Sequence, residues 1–179
     1  MSETIILGGG CFWCTESVFQ SLKGVLNVEP GYSGGHVEHP RYEEVCRGNT
    51  GHIEVVRVQF DPDQLPLESL LTVFFATHDP TTPDRQGADV GPQYASAIFY
   101  ESPAQRDTAQ KVIKRVEQLL EHPVVTHLRE AEQFWPAEGY HQNYYRNNPH
   151  QGYCQAVIVP KLSTLRRHFS SLLNEQPDG

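Results

Sequence analysis

Two cysteines separated by two aromatics, in "GGGCFWCTE" from Gly8 to Glu16, are the residues of this chain best suited to chemistry. A thiol becomes a nucleophile as its thiolate. The unpaired N–H groups and positive dipole end of a helix N-terminus stabilise that anion. Here the short apolar run "TIIL" precedes three glycines, and "CTESVFQSL" continues with helical spacing of Val18, Phe19 and Leu22. The pattern predicts strand, glycine turn and helix, with Cys11 where the helix starts. The glycines allow other backbone or a ligand to approach closely. Adjacent aromatics on a first helical turn point in different directions, so one of Phe12 and Trp13 is expected to face outward. Beside a reactive sulfur the pair would form an apolar cup for a methyl or thioether group; simple packing is the alternative. Cys-x-x-Cys by itself leaves three readings open: a redox pair, half of a zinc site, or Cys14 as a small buried hydrophobe. There is no second Cys-x-x-Cys, and Cys46 and Cys154 stand alone, although nine histidines leave mixed zinc ligation open. A Cys-His hydrolase would need a histidine base, and none neighbours Cys11 in the sequence.

The elements that must carry these residues alternate in type. "TIIL" (Thr4–Leu7) reads as a buried strand, "VLNVEPGYSGG" as a strand running into a loop, and "HVEHPRYEEVCRGNTG" as a polar, turn-rich loop. Alternation from Ile53 to Phe60 predicts a strand, on which Glu54 by itself would be a wet-face residue. "PLESLLTVFFATHDP" follows as a helix with Pro66 at its first turn, then "TTPDRQGADVGPQY" as a long loop and "ASAIFY" as a strand. The clearest helix begins at Ser102 as N-cap with Pro103 next, and carries an apolar stripe of Val112, Val116, Leu119 and Leu120. "VVTHLREAEQFWPAE" begins extended and ends as loop, and "GYHQNYYRNNP" reads as one or two helical turns. "CQAVIVP" is expected to be extended, and "KLSTLRRHFSSLL" to close the fold as a helix. Strands and helices so interleaved predict an α/β or α+β sandwich, its sheet covered mainly by helices.

The 179 residues are enough for one domain with a proper core, read as a single catalytic domain over 1–179 with its core at about 4–170 and a short polar C-terminal tail. A net charge of −8 argues against a nucleic-acid partner, and Lys111, Lys114 and Arg115 read as the wet face of a helix. No apolar run is long enough to span a membrane, and "MSETIILGGG" reads as the start of the domain and not as a signal peptide. Four cysteines in a chain of this size fit a reducing, cytoplasmic compartment, where grouped thiols mean catalysis or metal.

"GCFWCTE" resembles the active-site signature of the A-type peptide methionine sulfoxide reductases. Further blocks agree in order: "GYSGG" at Gly31–Gly35, "RYEEVCRGNTGHIEVVRVQFDP" at Arg41–Pro62, "RQGADVGPQY" at Arg85–Tyr94, "FWPAEGYHQNYY" at Phe134–Tyr145 and "GYC" at Gly152–Cys154. The resemblance implies a ferredoxin-like core with additional loops and helices. It also implies reduction of the S-epimer of methionine sulfoxide, free or in proteins. Cys11 matches the nucleophile, Phe12 and Trp13 the wall that holds the substrate methyl group, and Glu54 an acid kept protonated by burial. Tyr42 and Tyr94 match hydroxyl donors to the sulfoxide oxygen, and Asp89 a residue ordering the site through water. His52 and His141 lie in matched blocks and are expected to be neutral and satisfied, without chemistry. A sulfenic acid left on Cys11 would condense with a second thiol. Cys154 matches that resolving cysteine, and Cys14, where the family often has glycine, is the alternative; Cys46 is expected to be a buried structural thiol. The resemblance implies thioredoxin as reductant and no other cofactor or metal; the chain is expected to be a monomer. The competing reading is a non-catalytic zinc-binding module built on Cys11 and Cys14.

Overall fold

The computed structural model describes residues 1–174; residues 175–179 of the expected polar tail lie outside them. Strand β1 (Glu3–Gly9) leads through α1 (Phe12–Gln20) to β2 (Val25–Ser33), and a short α2 (Tyr42–Cys46) precedes β3 (Ile53–Phe60). Helix α3 (Leu67–Ala76) and a small hairpin of β4 (Arg85–Gln86) and β5 (Asp89–Val90) then lead to β6 (Ser96–Tyr100). After α4 (Pro103–Leu120) come β7 (His127–Glu130), β8 (Phe134–Pro136), α5 (Tyr144–Asn147) and α6 (Val159–His168). One six-stranded sheet results, in the order β7-β6-β1-β3-β2-β8. Its centre, β6-β1-β3-β2, is wholly antiparallel, and each of α1 and α3 crosses over a strand lying between the two it joins. That is the split β-α-β plan of a ferredoxin-like core. The additions are α2, the hairpin, α4, the parallel edge strand β7, the opposite edge strand β8 and the C-terminal helices.

Period-two alternation decides which face is which. Val56, Val58 and Phe60 of β3 and Ile5 and Leu7 of β1 meet Phe19 of α1 and Leu70, Leu71 and Phe74 of α3, all buried. Each such side chain withdrawn from water contributes about 1.5–3 kcal/mol. Ile6, Ile53, Val55, Ala97, Phe99 and Phe134 form a smaller cluster on the other face. Gly31 lets β8 pair on β2, because a Cβ there would meet the Phe134 ring and the Trp135 carbonyl.

Several elements differ from the sequence expectation. The polar loop after β2 contains α2, and "TTPDRQGADVGPQY" contains the β4–β5 hairpin and a 3-10 turn at Pro92–Tyr94. Strand β1 runs on through Gly8 and Gly9, so only Gly10, at φ 95°, makes the turn into α1. A Cβ on Gly10 would lie 2.8 Å from the Gln86 side chain. Leu119 and Leu120 leave the stripe of α4: they are 77% and 43% exposed. The largest departure is "CQAVIVP". It is not extended: Cys154–Ile158 is a π-helical turn leading into α6. Its β-branched residues read as a strand, but the inward contacts recur at Cys154, Ile158, Leu162 and Leu165, which is helical spacing. Pro160 has no N–H for the carbonyl four residues back, and the wider turn accommodates that loss. Among the described residues no helix is long and apolar enough to cross a membrane.

Candidate active site

Cys11 is the N-cap of α1, with its side chain buried and in no capping hydrogen bond. The cap is supplied from the sheet: the Phe12 N–H donates to Glu54 Oε1 at 3.1 Å. Glu54 is not a wet-face residue. It falls in the row of Val56, Val58 and Phe60, on the helix-covered face of β3, and is 1% exposed. Oε2 is buried without a partner among the described residues. Burial pushes the carboxyl up to about 8, aided by the charge of Asp89 and the Cys14 thiol and opposed by the Phe12 N–H. At neutral pH it is a protonated acid, one oxygen anchored beside Cys11 and the other unengaged.

The two aromatics divide as their positions on a helical turn require. Phe12 points inward, 1% exposed, with its ring against Tyr32, Tyr42 and His141. Trp13 is half-buried, lies flat on Tyr144 at 3.8 Å, and donates from Nε1 to His141 Nδ1 at 2.9 Å. That bond places the His141 proton on Nε2, which is buried with no partner among the described residues, so His141 is not satisfied as expected; burial lowers the affinity of the ring for a second proton. His52 accepts the Gly35 N–H at Nδ1 and bonds the Val37 carbonyl at Nε2, so it is neutral and satisfied by backbone. Tyr42, at the start of α2, stacks on Phe12; Tyr94 ends the 3-10 turn after β5. Burial and then the nearby Glu54 raise the pKa of both phenols, so both remain hydroxyl donors. Asp89 reaches the thiols through a hydroxyl. Tyr153 donates to its Oδ2 at 2.8 Å, and the same hydroxyl lies 3.5 Å from Cys14 Sγ.

Three of the cysteines meet. Cys11, Cys14, Cys154 and Ile158 form one buried cluster, and all the thiols are free. Burial pushes the Cys11 thiol up, with the Cys14 hydrogen bond and Glu54 adding to it. Cys14 instead falls to about 7, chiefly through its hydrogen bond with Cys11, against burial and with help from Lys161. The lower pKa of the pair therefore belongs to Cys14, not to Cys11 as the helix-dipole argument predicts. Removal from water outweighs the helix end, which the Glu54 carboxyl has already taken. Burial also raises Cys154, with the Cys14 thiol adding to it. Cys46 departs from expectation: it is exposed, at the outer end of α2.

A cavity of about 240 Å³ opens onto these thiols, lined by Gly9, Cys11, Cys14, Asp89, Tyr153 and Lys161 among others. Sequence reasoning left Tyr153 and Lys161 unassigned, and no local pattern marks them. Glu16 was also missed; it is buried and accepts the N–H groups of Asn143 and Tyr144, fixing the segment on which Trp13 stacks. An acid in the apolar row of α1 was a legible signal for it. Among the described residues no group of three or more His, Cys, Asp or Glu side chains is placed to hold a metal, so the zinc-module reading finds no ligand set there.

Reduced thiols packed together beside a neutral carboxyl define a site for thiol-based redox chemistry on a ferredoxin-like core. Residues 3–173 match the family model described as peptide methionine sulfoxide reductase. The peptide methionine sulfoxide reductase MsrA of Chromobacterium violaceum is 56% identical over 173 residues, covering 96% of this chain and 98% of that protein. The crystal structure of Mxr1 from Saccharomyces cerevisiae in reduced form aligns with a TM-score of 0.81 at 32% identity, over 86% of this chain and 89% of that one. Mxr1 in complex with Trx2 aligns at 0.58 and 22% identity, over 80% and 84%. The chain belongs to the peptide methionine sulfoxide reductase family.

Proposed function

We propose that this chain, acting as a single catalytic domain and a monomer in the cytoplasm, reduces the S-epimer of methionine sulfoxide, free or in proteins, to methionine. The observation that carries the mechanism is the unpartnered Oε2 of a buried, protonated Glu54 whose other oxygen is pinned beside Cys11. The sulfoxide oxygen accepts the Glu54 proton and hydrogen bonds from Tyr42 and Tyr94, which makes the sulfur electrophilic. Cys11 Sγ attacks that sulfur and passes its own proton to the Glu54 carboxylate. Oxygen moves to Cys11 as a sulfenic acid, and methionine leaves. The substrate methyl group sits against Phe12 and Trp13. Because Cys11 is neutral at rest, it ionises only as the oxygen takes up a proton.

Cys14, hydrogen-bonded to Cys11 and held near pH 7 as its thiolate, attacks the sulfenic sulfur and expels hydroxide, which leaves as water. Cys154, buried in the same cluster, then exchanges with Cys14, freeing Cys11 and leaving a Cys14–Cys154 disulfide. Thioredoxin reduces that disulfide; the complex of the yeast relative with Trx2 supports this partner. No metal or organic cofactor takes part. Mass spectrometry of disulfides, quenched in time after one equivalent of methionine sulfoxide, tests the order. The expected sequence is Cys11–Cys14 followed by Cys14–Cys154; a Cys11–Cys154 bond formed first and directly would refute it.

A further inference from the structure

Lys161 sits in the first turn of α6, beside Cys11 and Cys14. Its Nζ donates to the Thr77 carbonyl at 2.6 Å, at the C-terminal end of α3. With Cys14, Thr15, Phe74 and His78 it lines a narrow internal gap, and with Cys11 and Cys14 it lines the larger cavity. Among the described residues no carboxylate lies within ion-pair distance of it. An ammonium tethered to one carbonyl, half-buried and facing a thiol, has that thiol as its natural counter-ion.

We propose that Lys161 is the positioning residue of the resolving step: it holds Cys14 as a thiolate, ready to attack the sulfenic sulfur of Cys11. The inference rests on the reading that Cys14 takes the first resolving step. The charge it supplies is worth something only because the rest of the surroundings oppose ionisation. Facing Cys14 from its own helix is the Cys11 thiol. From the C-terminal segment come the Tyr153 hydroxyl, Cys154 and Lys161; from the hairpin comes Asp89, and from β3 comes Glu54. His78, after α3, lines the same cavity, but its ring nitrogens are engaged by the Phe74 carbonyl and Ser96 Oγ, and burial holds it neutral, down to about 4. Lys161 is therefore the sole cation in the set; Asp89 and burial act against the thiolate, and the hydrogen bond from Cys11 acts for it, the Tyr153 proton being given to Asp89. The sign follows: removing the ammonium raises the pKa of Cys14 and leaves less thiolate at neutral pH.

The test uses Lys161→Met, which keeps the length and apolar stem, and Lys161→Arg, which restores the charge. In a Cys11→Ser background, the ultraviolet absorbance of the Cys14 thiolate is titrated against a matched Cys11→Ser, Cys14→Ser control. A midpoint raised by about one pH unit in Lys161→Met, a fall of about fivefold in thiolate at pH 7, is expected, with most of it recovered in Lys161→Arg. In the otherwise unaltered enzyme, formation of the Cys11–Cys14 disulfide should slow by the same factor at pH 7. It should converge with the unaltered rate well above pH 8, which a merely structural defect would not do. An unchanged midpoint in Lys161→Met, or a change that arginine does not reverse, overturns the proposal. If instead no Cys11–Cys14 disulfide ever forms in the unaltered enzyme, it is the resolving order that fails, and the titration still reports on Lys161 by itself.

Discussion

Replacing Glu54 by glutamine should stabilise the protein and stop its chemistry. In the fold the carboxyl keeps its proton to about pH 8, whereas the ordinary value is 4.5. The unfolded chain therefore ionises Glu54 above about pH 4.5 while the folded chain does not, and the wild type loses stability as pH rises between those values. At pH 7 the loss is about 3 kcal/mol, taking about 1.4 kcal/mol for each unit between 4.5 and 7, and it levels off near 5 kcal/mol above pH 8. Glutamine has no such proton to lose. Its amide oxygen still accepts the Phe12 N–H, and its NH₂ takes the place of the protonated Oε2, which has no partner either. Urea unfolding at about pH 4, 7 and 8.5 should give almost no difference, then a gain of about 3 kcal/mol, then one of about 4.5 kcal/mol. Single-turnover release of methionine should fall by roughly 10²–10⁴, the usual worth of a positioned acid. A variant no more stable than the wild type at pH 7, or one that reduces sulfoxide within tenfold of its rate, would refute the assignment of a neutral, proton-donating Glu54.

Trp13→Phe keeps a ring over Tyr144 but deletes the Nε1–H donated to His141; initial-rate kinetics should show KM rising about fivefold with kcat little changed, the cost of one lost hydrogen bond. Gly31→Ala drives a methyl into the Phe134 ring and the Trp135 carbonyl, and urea unfolding should register a loss of at least about 2 kcal/mol.

Much of this enzyme was legible before its fold. Runs of one periodicity announced β1, β3, β6, α3 and α4, because each buries a single face and burial imposes its spacing on the residues. The nucleophile candidate was legible for the same kind of reason: a strand, glycines and a helix starting at Cys11 leave the thiol few other places to go. Glu54 was not legible from the strand pattern, which reads it as a wet-face residue, because both faces of β3 are covered and only the fold shows it. Where local pattern failed, β-branched residues spoke for a strand and packing chose otherwise, as in Cys154–Ile158.

What the local pattern of residues determined by itself was the alternation of elements and the candidate thiol at Cys11, which depend on neighbours near in sequence; the split β-α-β core and the acid role of Glu54 came only through the family resemblance, because strand order and burial depend on remote segments. Only the tertiary structure decided the protonation of the reacting groups. Cys14 meets Cys11 three residues away, but Lys161, Tyr153 and Asp89 reach it from remote segments, and Glu54 reaches the Phe12 N–H beside Cys11 across 42 positions. A pKa is set by solvent exclusion and by charges within a few ångströms, and those distances exist only once the chain has closed on itself.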